Sequence, residues 1–451
     1  MKKFLYIFIC FFVLTSMSTS ESGIINKIKV SYAKNQIKKE FKFAWDNYKQ
    51  YAWGHDELLP LTKTYKDWYG EPLAITIIDS LDSLYLMGFN DEFESAVNWV
   101  IKNVDFDKNI KVQAFEITIR LLGGLISAYQ ISGNEKLLLM AEDLAERMLP
   151  IFDSPTGMPY RYVNLRTGEV EDYINNPAEI GTLTLEFGMI SKLTGNKIYY
   201  DKVKNAVVNL YNKRSKIDLV GTHINIITGE WTNKESHIDG AIDSYYEYLY
   251  KSWLLFGDKD FFNMFKTSFN AVEKYLSDPY HGMLWYKHVN ADTGEPISRH
   301  IGALCWFYPG LLAFAGNIQK AEELAKSGYW MWNNWGIEPE QIDYSTKEVL
   351  NPAYILRPEL IESTYYFWKL TGDNIYRDKA YNMFNDLKVF AKCDNGYTRV
   401  KNILTGEKDN LMDSFFLAET LKYLYLTFDD SKLDFDNIIF NTEAHPFMDI
   451  Q

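Results

Sequence analysis

Apolar and polar positions in this chain sort into two kinds of segment. One kind is apolar nearly all round: "TIRLLGGLISAYQ", "TLTLEFGMISKL", "SYYEYLYKSWLLF", "STYYFWKL" and "SFFLAETLKYLYL". The other carries charges on one face and apolar residues at helical spacing on the opposite one, as in "KLLLMAEDL" and "IYYDKVKNAV". An all-apolar helix is buried and a striped one faces solvent, so the pattern predicts inner helices alternating with outer ones. The two kinds meet at a recurring glycine: Gly88, Gly133, Gly195, Gly257, Gly316 and Gly372, spaced 45 to 62 residues apart. Each has Asn or Asp within the next two residues, so the glycine can end one helix in the left-handed conformation while the polar residue caps the next. A degenerate seventh junction, "LTFDDSKLDFDN", has Phe428 and Asp429 in those places. Self-similarity at this period marks a repeat architecture. An open solenoid needs polar capping repeats, and neither end of the chain carries one. The expected fold is therefore all-α, an (α/α)7 barrel of seven inner and seven outer helices.

Carboxylates interrupt the inner segments: Glu116, Glu186, Asp243, Glu359, Glu362 and Glu419. A charge buried without a partner is costly, so each needs a reason. If the inner helices run the same way, their offsets from the glycines bring these acids to one pole. Each alone reads as a core acid paired with Arg120, Arg357 or a backbone donor. Six at one end read better as the converging acids of glycoside hydrolysis or of a hard-cation site.

Length and composition fit this picture. The chain has 451 residues, 47% hydrophobic and 24% charged, ample for a large core. Its net charge of −13 argues against a nucleic-acid or anionic-membrane surface. Lys2 and Lys3, an apolar run from Phe4 to Leu14 and the small polar stretch "TSMSTS" read as a signal peptide. The run is short for a membrane span, which needs roughly 20 residues. The expected organisation is a signal peptide at residues 1–20, a lead-in at 21–40 and a single catalytic domain at 41–451, exported to the periplasm, the medium or a secretory lumen. No span is expected in the mature chain, and the mature protein is expected to be a monomer. Once Cys10 leaves with the leader, Cys305 and Cys393 remain; Cys305 sits in the apolar run "ALCWF", and the pair is expected to stay unbridged.

The C-terminal stretch "FNTEAHPF", Phe440 to Phe447, is rich in oxygen and nitrogen donors for a chain end. It completes a set. "YAWGHDELLPL", "TIIDSLDSLYLMG", "FEITIRLLGGLISAY", "DSYYEYL", "LRPELIEST", "SFFLAETLKYLYL" and "FNTEAHP" together resemble, in order, the class I α-1,2-mannosidases, glycoside hydrolase family 47. The resemblance runs from about Tyr51 to Pro446.

That resemblance implies an (α/α)7 barrel plugged by its C-terminal segment and a calcium-dependent, inverting hydrolysis of terminal α-1,2-linked mannose from oligomannose glycans. By it, Thr442 binds Ca2+ through its hydroxyl and carbonyl oxygens, with waters in the remaining positions. Glu116 matches the general acid, acting through a water, Glu359 the base, and Asp243 a third catalytic carboxylate. Glu186, Glu362, Glu419 and Glu443 match acids that hold sugar hydroxyls or calcium-bound waters. Arg120 and Arg357 match the family arginines, and Phe415 the aromatic under the sugar ring. His445 has no second His or Cys at ligand spacing, so zinc is not expected. Three departures stand out. Gly302 and Ala303 occupy positions where the family usually has Asp and often His, with Arg299 and His300 nearby. Ala241 replaces an arginine of some members, and Trp306 and Gly328 fall where a cysteine pair is usual. The first departure keeps alive a second reading, a mannose-binding or quality-control-like protein that hydrolyses poorly. A glucosidase of the same barrel type is the alternative among enzymes.

Overall fold

The computed structural model of the chain describes residues 27–448, and the first helix, Lys2–Tyr51, is considered from Lys27 onward. Two concentric layers of helices make up the (α/α)7 barrel. The inner layer runs in order through Ile75–Asp79 with Leu81–Leu86, Ala114–Ile117 with Gly123–Ser132, Pro177–Gly181 with Thr184–Thr194, Asp243–Phe256, Phe307–Phe314, Glu359–Thr371 and Leu421–Leu426. Outer helices follow the first six: Asn90–Asn103, Glu135–Met148, Ile198–Tyr211, Lys259–Tyr275, Ile318–Trp335 and Asn374–Phe390. The glycine junctions follow the predicted pattern in part: at Gly88 and Gly316 the helix ends one or two residues earlier and no Asn side chain caps the next one. Gly133, Gly195, Gly257 and Gly372 end inner helices with φ between 66° and 75°. Asn134, Asp258 and Asp373 then cap the next helix, each accepting a backbone N–H two residues on.

The seventh outer position is filled from the other end of the chain. No outer helix follows Leu421–Leu426; "DDSKLDFDN" forms turns and a short 3-10 segment, Phe435–Asn437. That stretch lacks an apolar stripe of helical period, and its place is taken by the first helix. Ala33, Ile37, Phe41, Ala44, Trp45 and Tyr48 of that helix are buried. Lys34 Nζ reaches Asp429 at 3.2 Å, and Glu40 accepts hydrogen bonds from Lys392 Nζ at 2.6 Å and from Tyr397 OH at 2.8 Å. The segment read as a lead-in thus enters the outer layer from Ala33 onward. The leader read at residues 1–20, with Cys10, lies outside the described residues.

Among the described residues, short strands, unannounced by the helical pattern, form nine small sheets, eight of them in the connections. They brace the rim where the inner helices begin. Lys111–Gln113, just ahead of the second inner helix, pairs with Tyr162–Asn164, and His300–Gly302, ahead of the fifth, pairs with Gln341–Asp343. Cys305 and Cys393 are both free. Trp306 and Gly328 are neighbours in space: a Cβ on Gly328 would lie 3.1 Å from the Trp306 indole and 2.8 Å from Leu360. A large ring packed over a glycine occupies the ground between these two segments.

The last residues form a hairpin, Ile438–Phe440 against Pro446–Met448, with Phe440 opposite Pro446. Its tip, Asn441 to His445, is buried apart from Thr442 and stands on the barrel axis. Asn441 organises the tip, its Oδ1 accepting from Glu443 N at 3.0 Å and His445 N at 2.7 Å, its Nδ2 donating to Ile119 O at 2.9 Å. The tip fits because the second inner helix carries Gly123, where a Cβ would lie 2.7 Å from Asn441 Nδ2 and 2.9 Å from His445 Cδ2.

Candidate active site

The inner helices all begin at one pole, and there they surround a cavity of about 380 Å³. A volume of this size is typical of small-ligand sites. Its walls are the first residues of successive inner helices: Glu116 and Arg120, Ala178 and Glu179, Asp243 and Ser244, Leu304, Arg357 and Glu359, Phe415 and Glu419. Thr442 and Glu443, at the hairpin tip, close its floor. Nine of the eleven site residues expected from the sequence line this cavity. Glu186 and Glu362 do not; they are buried behind the floor, where Asn441 Nδ2 donates to Glu186 Oε1 at 2.8 Å and Tyr423 OH reaches Glu362 at 3.3 Å.

Two of the inner helices widen into π-turns at the cavity, Thr118–Leu122 around Arg120 and Phe416–Thr420 around Glu419. Such turns cluster at functional sites because they re-aim a side chain within a helix. Arg120 thereby reaches three acids: it donates from Nε to Glu116 at 3.0 Å, bonds Glu443 through Nη1, and lies 3.6 Å from Asp79. Its guanidinium sits 5.6 Å above the Phe415 ring and 5.4 Å from Trp68, leaving Phe415 as an aromatic platform on the cavity wall. Arg357 is held by Glu340, with Nε 3.2 Å from both carboxylate oxygens, and approaches Glu359 at 3.7 Å. Asp243 and Glu419 make no ion pair among the described residues.

Burial decides the protonation of the cavity. Asp243 and Glu359 stand in the first turn of their helices, where the helix dipole and free N–H groups favour the ionised form. Desolvation wins nonetheless. It lifts Asp243 to about 7, with the charges of Asp239 and Glu359 adding to it after the Ser244 N–H has pulled the other way. It lifts Glu359 to about 7 against the opposing pull of Arg357, and Glu340 and Asp239 add to the rise. Burial likewise raises Glu186 to about 7 and Glu362 to about 8, and pushes Glu419 and Glu443 well above the usual carboxylate range. A site so crowded with acids that several are driven toward neutrality is one that an added cation would relieve.

Several functional neighbours escape a reading of the sequence. Asp79 and Asp82, in "TIIDSLDSLYL", are fully buried and clamp the plug: His445 Nδ1 lies 2.7 Å from Asp82 and Nε2 3.1 Å from Asp79. Lys422 Nζ joins them, 2.6 Å from Asp82 and donating to Ala444 O at 2.7 Å. His445 is thus an ion-pair partner. The same rule that singles out the other inner-helix acids applies to Asp79 and Asp82. Glu338 is fully buried with neither carboxyl oxygen hydrogen-bonded, and burial, then the charge of Glu359, raises it well above the usual range.

Comparison with known proteins agrees with this geometry. The profile of glycosyl hydrolase family 47 matches residues 40–449. The chain is similar to an alpha-mannosidase I of Arabidopsis thaliana, 37% identical over 98% of this chain and 81% of the other. It is also similar to the human ER degradation-enhancing alpha-mannosidase-like protein 3, 35% identical over 97% of this chain but only 50% of that protein. Among solved structures, the α-1,2-mannosidase from Trichoderma reesei superposes with a TM-score of 0.86 at 27% identity, over 93% of this chain and 99% of the other.

Proposed function

Because the chain belongs to glycosyl hydrolase family 47, we propose that it is an inverting, calcium-dependent mannosidase that releases terminal α-1,2-linked mannose from oligomannose N-glycans. The observation that carries the reading is the meeting of Glu116, Asp243 and Glu359 in one cavity whose lining includes the Phe415 ring. Glycoside hydrolysis with inversion needs one carboxyl group to protonate the leaving oxygen and a second, across the ring, to take a proton from water. Glu359, raised to about 7, is the base: a group with its pKa near the working pH is both available and strong enough. Glu116, oriented by Arg120, delivers a proton to the departing oxygen through a water. Asp243, also near 7, is the proton-bearing neighbour, from the fourth inner helix. Phe415 supports the sugar face, and Arg357 holds Glu359 in place.

The residues at the plug fit calcium. Among the described residues no three His, Cys, Asp or Glu side chains converge closely enough to grip a metal between them. A cation here would rest on the hydroxyl and carbonyl oxygens of Thr442 and on water, which suits a hard ion that accepts six to eight oxygen ligands. Glu186 supports this, since its Oε2 is buried with no hydrogen-bond partner behind the floor. When bound, the ion would supply positive charge to the sugar hydroxyls and to the surrounding acids.

Export of the mature chain and action as a monomer belong to the same proposal. A mannose-binding, quality-control-like protein is the second reading, favoured by Gly302 and Ala303 and by the similarity to the degradation-enhancing relative. A Manα1-2Man disaccharide assay with and without chelator separates them. Free mannose that disappears on chelation is the expected result. Binding without release favours the second reading, and release indifferent to chelator removes calcium from the first.

A further inference from the structure

Gly302 ends the strand that leads into the fifth inner helix, and the space beside it is already filled. A Cβ built on Gly302 would lie 2.5 Å from Asp239 Oδ2 and 2.7 Å from Oδ1. The Asp239 carboxylate therefore sits where a side chain at residue 302 would begin, and any residue but glycine there would collide with it. Asp239 comes from a different wall. It precedes the fourth inner helix, and its carbonyl accepts from the backbone N–H of Asp243 at 3.1 Å, fixing it to the turn that presents that acid. Its Oδ1 accepts from Gly240 N at 2.8 Å, so the carboxylate has a set orientation. Gly240 and Leu304, its neighbours on either side, both line the cavity.

We propose that Asp239 is a positioning residue of the reaction centre, supplying from the turn ahead of the fourth inner helix the carboxylate that the chain lacks at Gly302. The inference rests on the mannosidase reading and adds a residue to it. The two positions exchange roles across one small space. Glycine at 302 makes room, and aspartate at 239 places its charge beside Asp243 and Glu359, so that both titrate near neutrality. Every charged group around them bears on this. Asp243 faces Asp239, Glu359 and Glu247, and Glu359 faces Arg357, Glu340 and Asp239 while loading Glu338, Glu362 and Glu419. On the far side, burial first and the Asp239 charge second keep the Cys305 thiol protonated. Removing the charge at Asp239 withdraws a repulsion from Asp243 and Glu359, so both pKa values fall.

The test uses the full chain and the Manα1-2Man disaccharide. Asp239→Asn, which keeps the shape, is expected to lower kcat by about tenfold or more with KM nearly unchanged, and to move the pH–rate profile to lower pH. The double variant Asp239→Gly with Gly302→Asp returns a carboxylate to the same space from the opposite wall. It is expected to recover most of the lost kcat and the original profile. Gly302→Asp alone crowds two carboxylates together and should lower both melting temperature and activity. If Asp239→Asn matches an active wild type in kcat and pH profile, the role of Asp239 is overturned while the mannosidase reading stands. If the double variant melts like the wild type yet stays as slow as Asp239→Asn, the exchange is overturned. A wild type that binds the disaccharide and releases no mannose sinks the mannosidase reading and this inference with it.

Discussion

Asp243 and Glu359 are held near neutrality by burial in a cavity that gives them few compensating donors, and their titration should be visible in turnover. As pH falls through about 7 Glu359 takes up its proton and can no longer activate water. As pH rises through about 7 Asp243 gives up its own. The expected kcat/KM profile is a narrow bell centred near neutrality, with one limb from each acid. A profile flat from pH 5 to 9, or a maximum below about 5, would contradict it. Both acids bind protons in the folded state that they release on unfolding, so each costs stability as pH rises from its unfolded value toward about 7. Replacing Glu359 by Gln keeps size and removes the carboxylate proposed as the base. Turnover should fall by about 10²–10⁴-fold, while disaccharide binding and melting temperature hold. Retention of more than about a tenth of wild-type activity would assign the base to another carboxylate.

At the scale of single elements, the C-terminal hairpin is locked by charge. His445, Lys422, Asp79 and Asp82 are all fully enclosed. Burial opposes the charged imidazole, yet Asp82 and Asp79 outweigh it and raise His445 above its usual value of 6.5. Burial also opposes the two carboxylates. His445 and Arg120 overrule it at Asp79, and Lys422 and His445 at Asp82, lowering both below 3.8. A raised histidine stabilises fully below 6.5 and loses its contribution as pH climbs through the folded value. Lowered aspartates stabilise fully above 3.8 and lose theirs as pH drops through the folded values. The lock is therefore complete between these limits. His445→Gln, which takes one partner from each of two buried carboxylates, should cost about 3–5 kcal/mol by denaturant unfolding, with the largest difference from wild type inside that window. A loss below about 1 kcal/mol, or one independent of pH, would reduce His445 to a packing residue.

The helices, the glycine junctions and the acids at one pole were legible because each depends on local period or on the anomaly of a charge in an apolar segment. The clamp was not, since nothing near Asp79 or Asp82 names a partner more than 300 residues away. Asp239 was hidden for a similar reason: its meaning depends on an empty place at Gly302, on another loop.

At the scale of the whole barrel, its first and last elements close it. The first helix fills the seventh outer place and the last hairpin fills the axis. Removing Phe440 to Gln451 should abolish activity and lower the melting temperature, and Thr442→Ala should remove the response of both to calcium. A cation that binds only the folded state adds RT ln(1 + [L]/Kd), about 4 kcal/mol at a thousandfold excess over Kd. Melting curves and mannose release, each with calcium and with excess chelator, check this; a wild type indifferent to chelator, with no metal retained, overturns the calcium proposal. The closure also orders events during synthesis. A ribosome delivers the first helix early, but the partners of Lys34 and Glu40 lie 395 and 352 residues downstream. Six helix pairs can stack as they emerge, each beside its predecessor. The ring they form stays open, with an unplugged axis, until the hairpin at Ile438–Met448 has left the exit tunnel. A message cut short before Ile438 thus yields a product with an unfinished core. The interval between first helix and last hairpin is the time for which the nascent protein depends on protection from its neighbours.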